Sequence, residues 1–578
     1  MKKILTFIFS CMFFFCIHSS NTALADTFTQ DPDHLYDVVI VGGGIAGLTT
    51  AYMLRDRDIL LFEKEERFGG KIWSDQIQGV SYNIGTQYLM EEDNSFIRML
   101  DELEIKRTLY SITEAPTAAY IGGTYYHDLT DIPMDVVDII DLVKIISTAY
   151  RKQKIFQLNP NDPRWQNLSR ETLIDVIKTD NEKIMAIFRA YLRGACVTKP
   201  EQVSAGIGTY LMGDIYNIAP FAFVEGGTQK ITDTIVKKLQ GKVSNNTLVK
   251  KVEEKDGIVH IFFERNGNNF VVKSKKAVIA TDAPACLWLL PEAPTWKKNA
   301  LKKVEYGTII TVNMFFREIP WQRFMAMLVE DVLFTGVIDT NYFTDIAGGK
   351  NANPKILNFF ISIPPNEKDL KNAILAKSEQ EIANSVIKEF GKIFPSIDIS
   401  KYILDTRVTK FVDGEVGLTP EHFMLLPYLQ KPVGNIHFCG DYTDRNSFLM
   451  GAVLSGYRVA RELGSIYVVS ESNEIRFART PNWGTFGFIS IFTCILLSFF
   501  GLYLRIRKKI YPRYATILVV TSIALLITTI VYPFYLPPYQ VIYQALSLVI
   551  LIIALLGYFI AWILKFLRGN KHISKTQA

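Results

Sequence analysis

The sequence predicts an α/β fold in which two domains are built from alternating segments and are followed by three membrane-spanning helices. An almost unbroken apolar run at 37–41 leads into a glycine-rich loop and a helix-forming stretch, which is the order of strand, turn and helix in a parallel sheet. Strand and helix periodicity continues to about residue 466. Three long segments without Asp, Glu, Lys or Arg come after it. With 578 residues, the chain is long enough for two or more domains.

The glycine-rich loop has the spacing of a dinucleotide-binding turn. Gly42 allows a tight turn, Gly44 lets the backbone approach a pyrophosphate, and Gly47 lets the helix pack closely on the strand. The first helical residues, Ile45 and Ala46, direct unpaired N–H groups towards the phosphates. We therefore predict a Rossmann-type sheet that binds a dinucleotide. The alternative is a turn with a purely structural role.

An acidic residue follows at the distance expected for contact with a ribose. The second apolar run, 59–62, ends at Glu63, which lies 21 residues after Gly42. A carboxylate in this position accepts hydrogen bonds from ribose hydroxyls. The alternative is a solvated Glu at the end of a strand.

The segment EKEERFGGKIWS, which starts at Glu63, resembles the flavin amine oxidase superfamily. That group includes monoamine oxidases, protoporphyrinogen oxidase and carotenoid desaturases, and the resemblance implies that the dinucleotide is FAD. It assigns five residues of this segment to the cofactor: Lys64, Arg67, Gly69, Gly70 and Lys71. Lys71 stands where the family usually has Arg, so it keeps the charge and loses the bidentate fork.

Two further motifs continue the resemblance in the order of the family. YNIGTQYL implies that Gly85, Thr86 and Gln87 lie beside the flavin ring, and Asn83 stands where Asp is more usual. FVEGGTQKITDTIVKKL is similar to the family's Gly-Gly turn and helix. The following GKVSNNTLVKKV is similar to the strand that meets the adenine, near Val243.

The last motif, NIHFCGDYTDRNSFLMGAVLSGYRVA, is similar to the final flavin motif of the family. The resemblance implies that Gly440 and Asp441 meet the pyrophosphate and the ribityl oxygens. It also implies that Gly451, Ala452 and Val453 begin a helix whose N-terminus points at the pyrimidine end of the flavin.

Because the motifs are separated, we expect a discontinuous FAD-binding Rossmann-type domain with a mixed α+β substrate domain. The FAD domain is expected from 33–93, 222–284 and 406–466, and the substrate domain from 94–221 and 285–405. The first insert is expected to be mainly helical. The second is expected to contain strands at 307–317 and 355–363 and a helix at 370–390. Residues 467–483 form a polar linker.

The N-terminus has the pattern of an export signal. Two lysines precede an apolar run at 4–17, and the sequence Ala-Leu-Ala ends at Ala25. This order of charge, apolar core and small-residue cleavage site is typical of a secretory signal peptide at 1–25. An uncleaved anchor is the alternative.

The C-terminal region has the pattern of a membrane anchor. The uncharged segments 484–504, 514–532 and 540–564 are each near the roughly 20 residues that cross a bilayer. Buried globular helices are the alternative. Basic residues lie between the first two segments and after the third, and no charge lies between the last two. The positive-inside rule then predicts a flavin domain on the extracytoplasmic side, which agrees with the export signal.

The composition gives no indication of nucleic-acid or metal binding. The net charge of +5 is modest and includes residues that flank the predicted spans. The seven His lack metal-ligand spacing, and we predict no metal. Cys196, Cys286 and Cys439 have no disulfide-framework spacing, so we expect small buried side chains.

The resemblance leaves the substrate open. Many amine oxidases of the family hold a Lys near the reactive flavin nitrogen, and VEYGTIITVNMFF aligns Thr311 with it. Monoamine oxidases also enclose the amine between two aromatic rings. Phe448, three residues before Gly451, matches one ring, and no second ring is found. Phe448 and Phe411 are candidates for the substrate face, with core packing as the alternative. We expect His422 to be a surface or packing residue rather than a catalytic one.

The sequence is compatible with three functions. The first is transfer of a hydride equivalent from an amine to FAD, the second is carbon–carbon dehydrogenation of an apolar substrate, and the third is non-catalytic binding on a flavin-domain shell. Monoamine oxidases attach FAD to a Cys before the last motif. No Cys lies between Cys286 and Cys439, so we predict noncovalent FAD. The expected partners are a small-molecule substrate and the lipid bilayer.

Overall fold

The computed structural model describes residues 34–90, 95–110, 115–156, 158–214, 221–342, 345, 351–446 and 448–467. The predicted signal peptide, residues 468–483 of the predicted linker and the three predicted spans lie outside the described residues. None of the helices within the described ranges has the length and apolar character needed to cross a bilayer.

The described residues form nineteen strands and fourteen α-helices. The strands are β1 (Leu35–Val41), β2 (Ile59–Phe62), β3 (Ser74–Ile77), β4 (Val80–Asn83), β5 (Leu89–Met90), β6 (Arg107–Tyr110), β7 (Thr117–Ile121), β8 (Thr124–Tyr126), β9 (Phe221–Val224), β10 (Val243–Ser244), β11 (Thr247–Lys255), β12 (Ile258–Arg265), β13 (Asn268–Ile279), β14 (Tyr306–Phe316), β15 (Ala326–Val329), β16 (Gly336–Asp339), β17 (Lys355–Ile363), β18 (Ile403–Val416) and β19 (Ile436–Phe438). The helices are α1 (Ile45–Met53), α2 (Ser95–Glu102), α3 (Val136–Phe156), α4 (Pro163–Arg170), α5 (Leu173–Ile177), α6 (Glu182–Cys196), α7 (Ala205–Asp214), α8 (Gln229–Lys238), α9 (Ala283–Leu289), α10 (Thr295–Lys302), α11 (Lys368–Leu375), α12 (Glu379–Ile393), α13 (Pro420–Gln430) and α14 (Phe448–Glu462).

The first sheet has the strand order β10-β2-β1-β13-β12-β11, with β19 also paired to β13. The strands β10, β2, β1, β13 and β19 run parallel, whereas β11, β12 and β13 form an antiparallel meander. Apolar residues cover both faces of β1, because Ile40 packs into one core cluster and Val39 into the other. This agrees with the predicted doubly covered parallel sheet.

Helices α1 and α14 cover one face of this sheet and contact each other closely. A Cβ atom built on Gly456 would lie 2.6 Å from the carbonyl oxygen of Ala46. The two helices can approach this far only because position 456 has no side chain. The final flavin motif, which contains α14, is thereby held against the glycine-rich motif, which contains α1.

The second sheet has the order β18-β14-β17-β16-β15-β7-β8. One of its faces packs on α12 through residues such as Val312, Phe359 and Phe390. The opposite face, which we call the inner face, carries the alternate residues: Ile309, Thr311 and Asn313 of β14, Asn358 and Phe360 of β17, and Phe411 of β18. Members of the inner face are cross-strand partners, since Asn313 pairs with Asn358 and Ile309 with Phe411.

The structure differs from the sequence prediction in three places. The helix expected at 370–390 is two helices, because Ser378 starts α12 with a capping box that includes Glu381. The first insert is helical from α3 to α7, as expected, but it also supplies β6, β7 and β8. The boundary expected at residue 406 falls inside β18, which pairs with β14, so the change from the second sheet to the first comes after Val416.

Candidate cofactor and substrate site

The glycine-rich loop between β1 and α1 has the geometry expected of a pyrophosphate-binding turn. Gly42 has φ of 112°, which is a conformation that side chains disfavour. A Cβ on Gly47 would lie 2.0 Å from the carbonyl oxygen of Gly42, so helix and strand meet without a side chain between them. A Cβ on Gly44 would have no atom within 4 Å. Each glycine therefore fits the role that its spacing predicts.

Glu63 lies at the end of β2 beside this loop. Its Oε2 accepts a hydrogen bond from the backbone N–H of Gly43 at 2.7 Å, and its Oε1 accepts one from the N–H of Glu65 at 3.0 Å. The buried carboxylate is fixed at the position where a ribose is expected. Lys64 differs, because its side chain is 65% exposed and lies 3.4 Å from Glu65 Oε1.

The paired glycines of the second motif lie against the loop. The N–H of Gly69 donates to the carbonyl oxygen of Gly43 at 2.8 Å, and a Cβ on Gly70 would lie 3.3 Å from Gly44 Cα. Arg67 folds back over the same turn, donating to the carbonyl oxygens of Gly70 at 2.7 Å and Ile72 at 2.9 Å. Its guanidinium holds the glycines in place, and its position along the cofactor stays a prediction.

An ion pair joins the second motif to the last one. Lys71 Nζ lies 3.1 Å from Asp441 Oδ2. Burial opposes the charged form of Lys71, but Asp441 and Glu415 outweigh it and raise the pKa of the ammonium. Gly440 has φ of 138°, and its N–H donates to Ser455 Oγ at 2.9 Å. Lys71 of the second motif and Asp441 of the last motif are thus in direct contact, although 370 positions separate them in the chain.

The loop expected beside the flavin ring is centred on Asn83. The Asn83 Oδ1 accepts from the N–H of Thr228 at 3.0 Å, and its Nδ2 donates to the carbonyl oxygen of Gln87 at 2.7 Å. An Asp could make the first contact but not the second. Gly85 has no room for a side chain, because its Cβ would lie 1.8 Å from the carbonyl oxygen of Lys71. The N–H of Thr86 donates to that same oxygen at 3.1 Å.

The last helix begins earlier than the sequence indicates. Helix α14 starts at Phe448, so Gly451, Ala452 and Val453 lie in its first two turns rather than at its first residue. Phe448 has φ of 53°, and its N–H donates to Glu415 Oε1 at 3.3 Å. The side chain of Phe448 packs against the helical core cluster of the first insert.

The remaining predicted residues lie on the two sheets. Val243 is half-buried on β10, next to Leu61 of β2, at the edge of the first sheet. Phe411 packs beside the cluster that contains Tyr82 and Phe315. Thr311 lies on β14 and is 1% exposed.

Three polar side chains of the inner face carry atoms that have no hydrogen-bond partner among the described residues. Thr311 Oγ1, both polar atoms of the Asn313 amide and Asn358 Oδ1 have no hydrogen bond there. Thr311 and Asn313 are each 1% exposed and Asn358 is 0% exposed. An unpaired buried polar group lowers the free energy of unfolding by about 1–3 kcal/mol, so apolar side chains would suit these positions better if packing were their only role.

His422 and the described cysteines are buried packing residues. Neither ring nitrogen of His422 has a partner within the described ranges, and burial lowers its pKa to about 4 against the opposing charge of Asp441. Burial raises the pKa of Cys286 to about 11 and that of Cys439 to about 12. Both thiols stay protonated near neutral pH and are poor nucleophiles, which agrees with noncovalent FAD.

The sequence interpretation missed several residues of the site. Thr228 and Ser455 organise the Asn83 loop and the Gly440 turn, and both lie within motifs whose other members were recognised. Asn313 and Asn358 interrupt the apolar runs TVNMFF and ILNFFIS. A polar residue in a strand that is otherwise apolar on both faces was the available signal.

Three features are typical of a dinucleotide-dependent oxidoreductase. They are the parallel first sheet, the glycine-rich turn between β1 and α1, and the second sheet, which contacts the loop centred on Asn83. The chain belongs to the flavin containing amine oxidoreductase family, whose sequence pattern matches residues 45–464. Its cofactor is FAD, and it is a FAD-dependent oxidoreductase of the amine oxidase type.

Individual relatives agree with this assignment. The chain is 23% identical over 470 residues to flavin-containing amine oxidase A of Canis lupus familiaris, a match that covers 75% of this chain and 86% of that protein. The fold is similar to cyclohexylamine oxidase from Brevibacterium oxydans, with a TM-score of 0.61, 17% identity and coverage of 74% and 99%. Wild-type putrescine oxidase bound to putrescine gives a TM-score of 0.60, 17% identity and the same coverage.

Proposed function

We propose that this protein oxidises an amine by transferring a hydride equivalent from the carbon next to the nitrogen to FAD. The observation that carries the proposal is the contact between the inner face and the flavin loop, where Asn358 Nδ2 donates to the carbonyl oxygen of Asn83 at 2.9 Å. The contact joins a surface that carries both apolar and polar side chains to the loop expected beside the flavin, and small-molecule sites combine side chains of these two kinds. The relatives named above carry amines in their names.

On this proposal the residues of the chain bind FAD and orient the substrate, and they take no covalent part in the reaction. FAD supplies the hydride acceptor. The backbone at Gly44 and the carboxylate of Glu63 hold its pyrophosphate and ribose, and the Asn83 loop supports its ring. Ile309 and Phe360 of the inner face exclude water and orient the substrate carbon. The amine loses a hydride and a proton to become an imine, which water hydrolyses to a carbonyl compound and ammonia or a smaller amine.

A second candidate is carbon–carbon dehydrogenation of an apolar substrate. The observation that favours it is Thr311, which occupies the position where many amine oxidases of the family hold a Lys. The apolar half-buried residues Ile309 and Phe360 also suit an apolar substrate.

Anaerobic reduction of the purified full chain distinguishes the two candidates. The visible flavin absorbance is followed in mild detergent after addition of cyclohexylamine, benzylamine or putrescine, and separately after addition of detergent-dispersed polyenes. We expect bleaching by at least one amine, with one carbonyl product released per flavin. Bleaching by polyenes alone would support the second candidate, and a protein that neither contains nor takes up flavin would contradict both.

We also propose that the enzyme is anchored in a membrane at its C-terminus with the flavin domain on the extracytoplasmic side. The supporting patterns are the signal-like N-terminus, the three uncharged segments and the distribution of basic residues around them. Protease added to right-side-out membrane vesicles should then degrade the flavin domain. Degradation in inverted vesicles but not in right-side-out vesicles would reverse the proposed orientation.

A further inference from the structure

The first and last described residues of the chain lie at the same end of the first sheet. His34 immediately precedes β1, and its Nε2 lies 2.8 Å from Oδ2 of Asp58, in the turn between α1 and β2. At the other end of the described chain, Tyr467 donates its hydroxyl to the carboxylate of Asp56 in the same turn. We call this surface the terminal edge and define it by residues 34–36, 54–58 and 463–467.

The last described segment is bound to this turn by further contacts. Ser465 Oγ donates to the carbonyl oxygen of Met53 at 2.7 Å. The guanidinium of Arg55 lies over two rings, at 3.7 Å from the centroid of Tyr467 and 4.1 Å from that of Tyr52. Cation–π contacts of this kind are attractive, and they add to the hydrogen bonds. The point at which the chain leaves the flavin domain is therefore fixed at the terminal edge.

The terminal edge lies at the opposite end of the first sheet from the glycine-rich loop. Strand β1 begins at Leu35, in the terminal edge, and ends at Val41, directly before Gly42. Each residue of a strand rises about 3.3 Å, so the two ends of β1 are about 20 Å apart. Strand β2 runs parallel to β1, from the turn of the terminal edge to Glu63. The exit of the chain and the cofactor loop are therefore separated by the length of the sheet.

Apolar and aromatic side chains are accessible at the terminal edge. Ile466 is 80% exposed, which is the largest exposed fraction of any large apolar side chain among the described residues, and Leu35 is 37% exposed. Tyr467 adds an aromatic ring with a polar tip, and Arg55 adds a basic group beside it. Side chains of these kinds are typical of the boundary between lipid headgroups and acyl chains.

The length of the connecting segment favours this edge over the rest of the surface. Residues 468–483 join Tyr467 to the first predicted span, and sixteen residues reach at most about 55 Å when fully extended. A compact domain of about 430 residues is roughly 55 Å across. A flexible linker of sixteen residues spans roughly 20–25 Å on average. The far side of the domain would therefore meet the bilayer only with a fully stretched linker, whereas the terminal edge meets it with a relaxed one.

We propose that the terminal edge lies against the lipid headgroups of the membrane that holds the C-terminal anchor. Ile466 and Leu35 then insert between the headgroups, and the ring of Tyr467 lies at their boundary with the acyl chains. The glycine-rich loop lies at the end of the sheet that is away from the bilayer. The inference rests on the proposed C-terminal anchorage and adds which surface of the flavin domain contacts the lipid.

The test uses single-cysteine variants of the full-length protein in phosphatidylcholine liposomes. Cys11, Cys16 and Cys494 are first replaced by Ser, and the other three cysteines of the chain are buried. Ile466→Cys and Leu35→Cys then attach a fluorescent thiol probe to the terminal edge. Quenching of the probe by a lipid that carries a nitroxide on its headgroup reports how close each position lies to the bilayer surface.

Two further positions serve as controls. Leu404→Cys is the matched control, because Leu404 is 49% exposed on β18, the edge strand of the second sheet. Val136→Cys tests a competing surface, since Val136, Val137 and Ile140 form an exposed apolar face of α3. Exposed apolar groups of this kind also occur at membrane contacts.

We expect the nitroxide lipid to quench the probes at positions 466 and 35 at least about twofold more strongly than those at positions 404 and 136, because only the terminal edge then contacts the headgroups. Adding Tyr467→Ala to the Leu35→Cys variant should reduce its quenching, since the ring contact with Arg55 and the hydrogen bond to Asp56 are lost. Adding Tyr428→Ala, which removes an exposed ring of α13, should leave the quenching unchanged.

Two results would overturn the inference while the anchorage stands. Stronger quenching at position 136 than at positions 466 and 35 would show that α3 faces the bilayer. Equal quenching at all four positions, in a protein that alkaline carbonate does not extract, would show that no single surface of the flavin domain rests on the lipid. If carbonate extracts the wild type from the liposomes, the proposed anchorage itself is wrong, and the inference falls with it.

Discussion

Replacing Gly44 with Ala should separate cofactor binding from folding. The backbone of Gly44 has φ of −68° and ψ of 174°, which an Ala adopts without strain. A Cβ at this position would meet no atom within 4 Å. Ala has less chain entropy than Gly in the unfolded state, which stabilises the fold, but it is a poorer N-cap, which destabilises α1. Because the two effects oppose each other, the free energy of unfolding without FAD should stay within about 1 kcal/mol of the wild type.

The same methyl group should obstruct FAD, because the backbone of Gly44 is where the pyrophosphate is expected to approach. Forcing an extra methyl into a close contact costs about 1–3 kcal/mol, which corresponds to a roughly 5- to 150-fold weaker Kd. Gly47→Ala makes an informative contrast. Its Cβ would lie 2.0 Å from the carbonyl oxygen of Gly42, so this variant should lose the fold itself.

The assay is FAD titration of the apoprotein, followed by quenching of flavin fluorescence, together with thermal unfolding before and after FAD is added. Gly391→Ala is the matched control, because Gly391 lies within α12 with no atom near its Cβ and far along the chain from the FAD motifs. It should gain up to about 1 kcal/mol of stability and bind FAD as the wild type does. A Gly44→Ala variant with unchanged FAD affinity would refute the assignment of Gly44 to the pyrophosphate.

Two further predictions concern Glu63 and Lys297. Glu63→Gln should weaken FAD binding about 10- to 150-fold, since hydrogen bonds to a charged acceptor contribute about 1.5–3 kcal/mol, and exposed Glu66→Gln should have no effect in the same titration. Burial lowers the pKa of Lys297 to about 7 from 10.5, so between these pH values the unfolded chain binds a proton that the folded chain has lost. The free energy of unfolding should therefore rise with pH across this window, by at most ~1.4 kcal/mol per pH unit, and denaturant titrations should show a smaller slope for Lys297→Met. An equal slope in the two proteins would contradict the lowered pKa.

The sequence was most informative where function requires a particular backbone conformation or a close approach of two elements. The roles of Gly42 and Gly47 follow from spacing, because a tight turn and a close helix–strand approach leave little choice of residue. The direction of a side chain was less predictable. Arg67 belongs to the expected motif, and its guanidinium also donates to two carbonyl oxygens of its own turn, a local contact that motif position alone does not reveal.

Long-range pairing accounts for most of the remaining differences. The boundary near residue 406 was misplaced because β18 is defined by its partner β14, almost a hundred residues earlier, rather than by its own composition. Asn313 and Asn358 likewise become neighbours only through the register of β14 and β17. Single-strand periodicity predicts which residues share a face but not which strands become neighbours.

The contact between helices α1 and α14 has a consequence for the order in which the protein matures. Thr50 and Gly456, which meet in this contact, are 406 positions apart in the chain, and Lys71 and Asp441 are 370 apart. A nascent chain that lacks β19 and α14 has the glycine-rich loop of the FAD site but not yet the last FAD motif. Contacts of such separation form late, since the intervening loop must be closed first. We therefore expect FAD to bind late, across segments from the two ends of the chain, and to stabilise the folded protein in proportion to the FAD concentration.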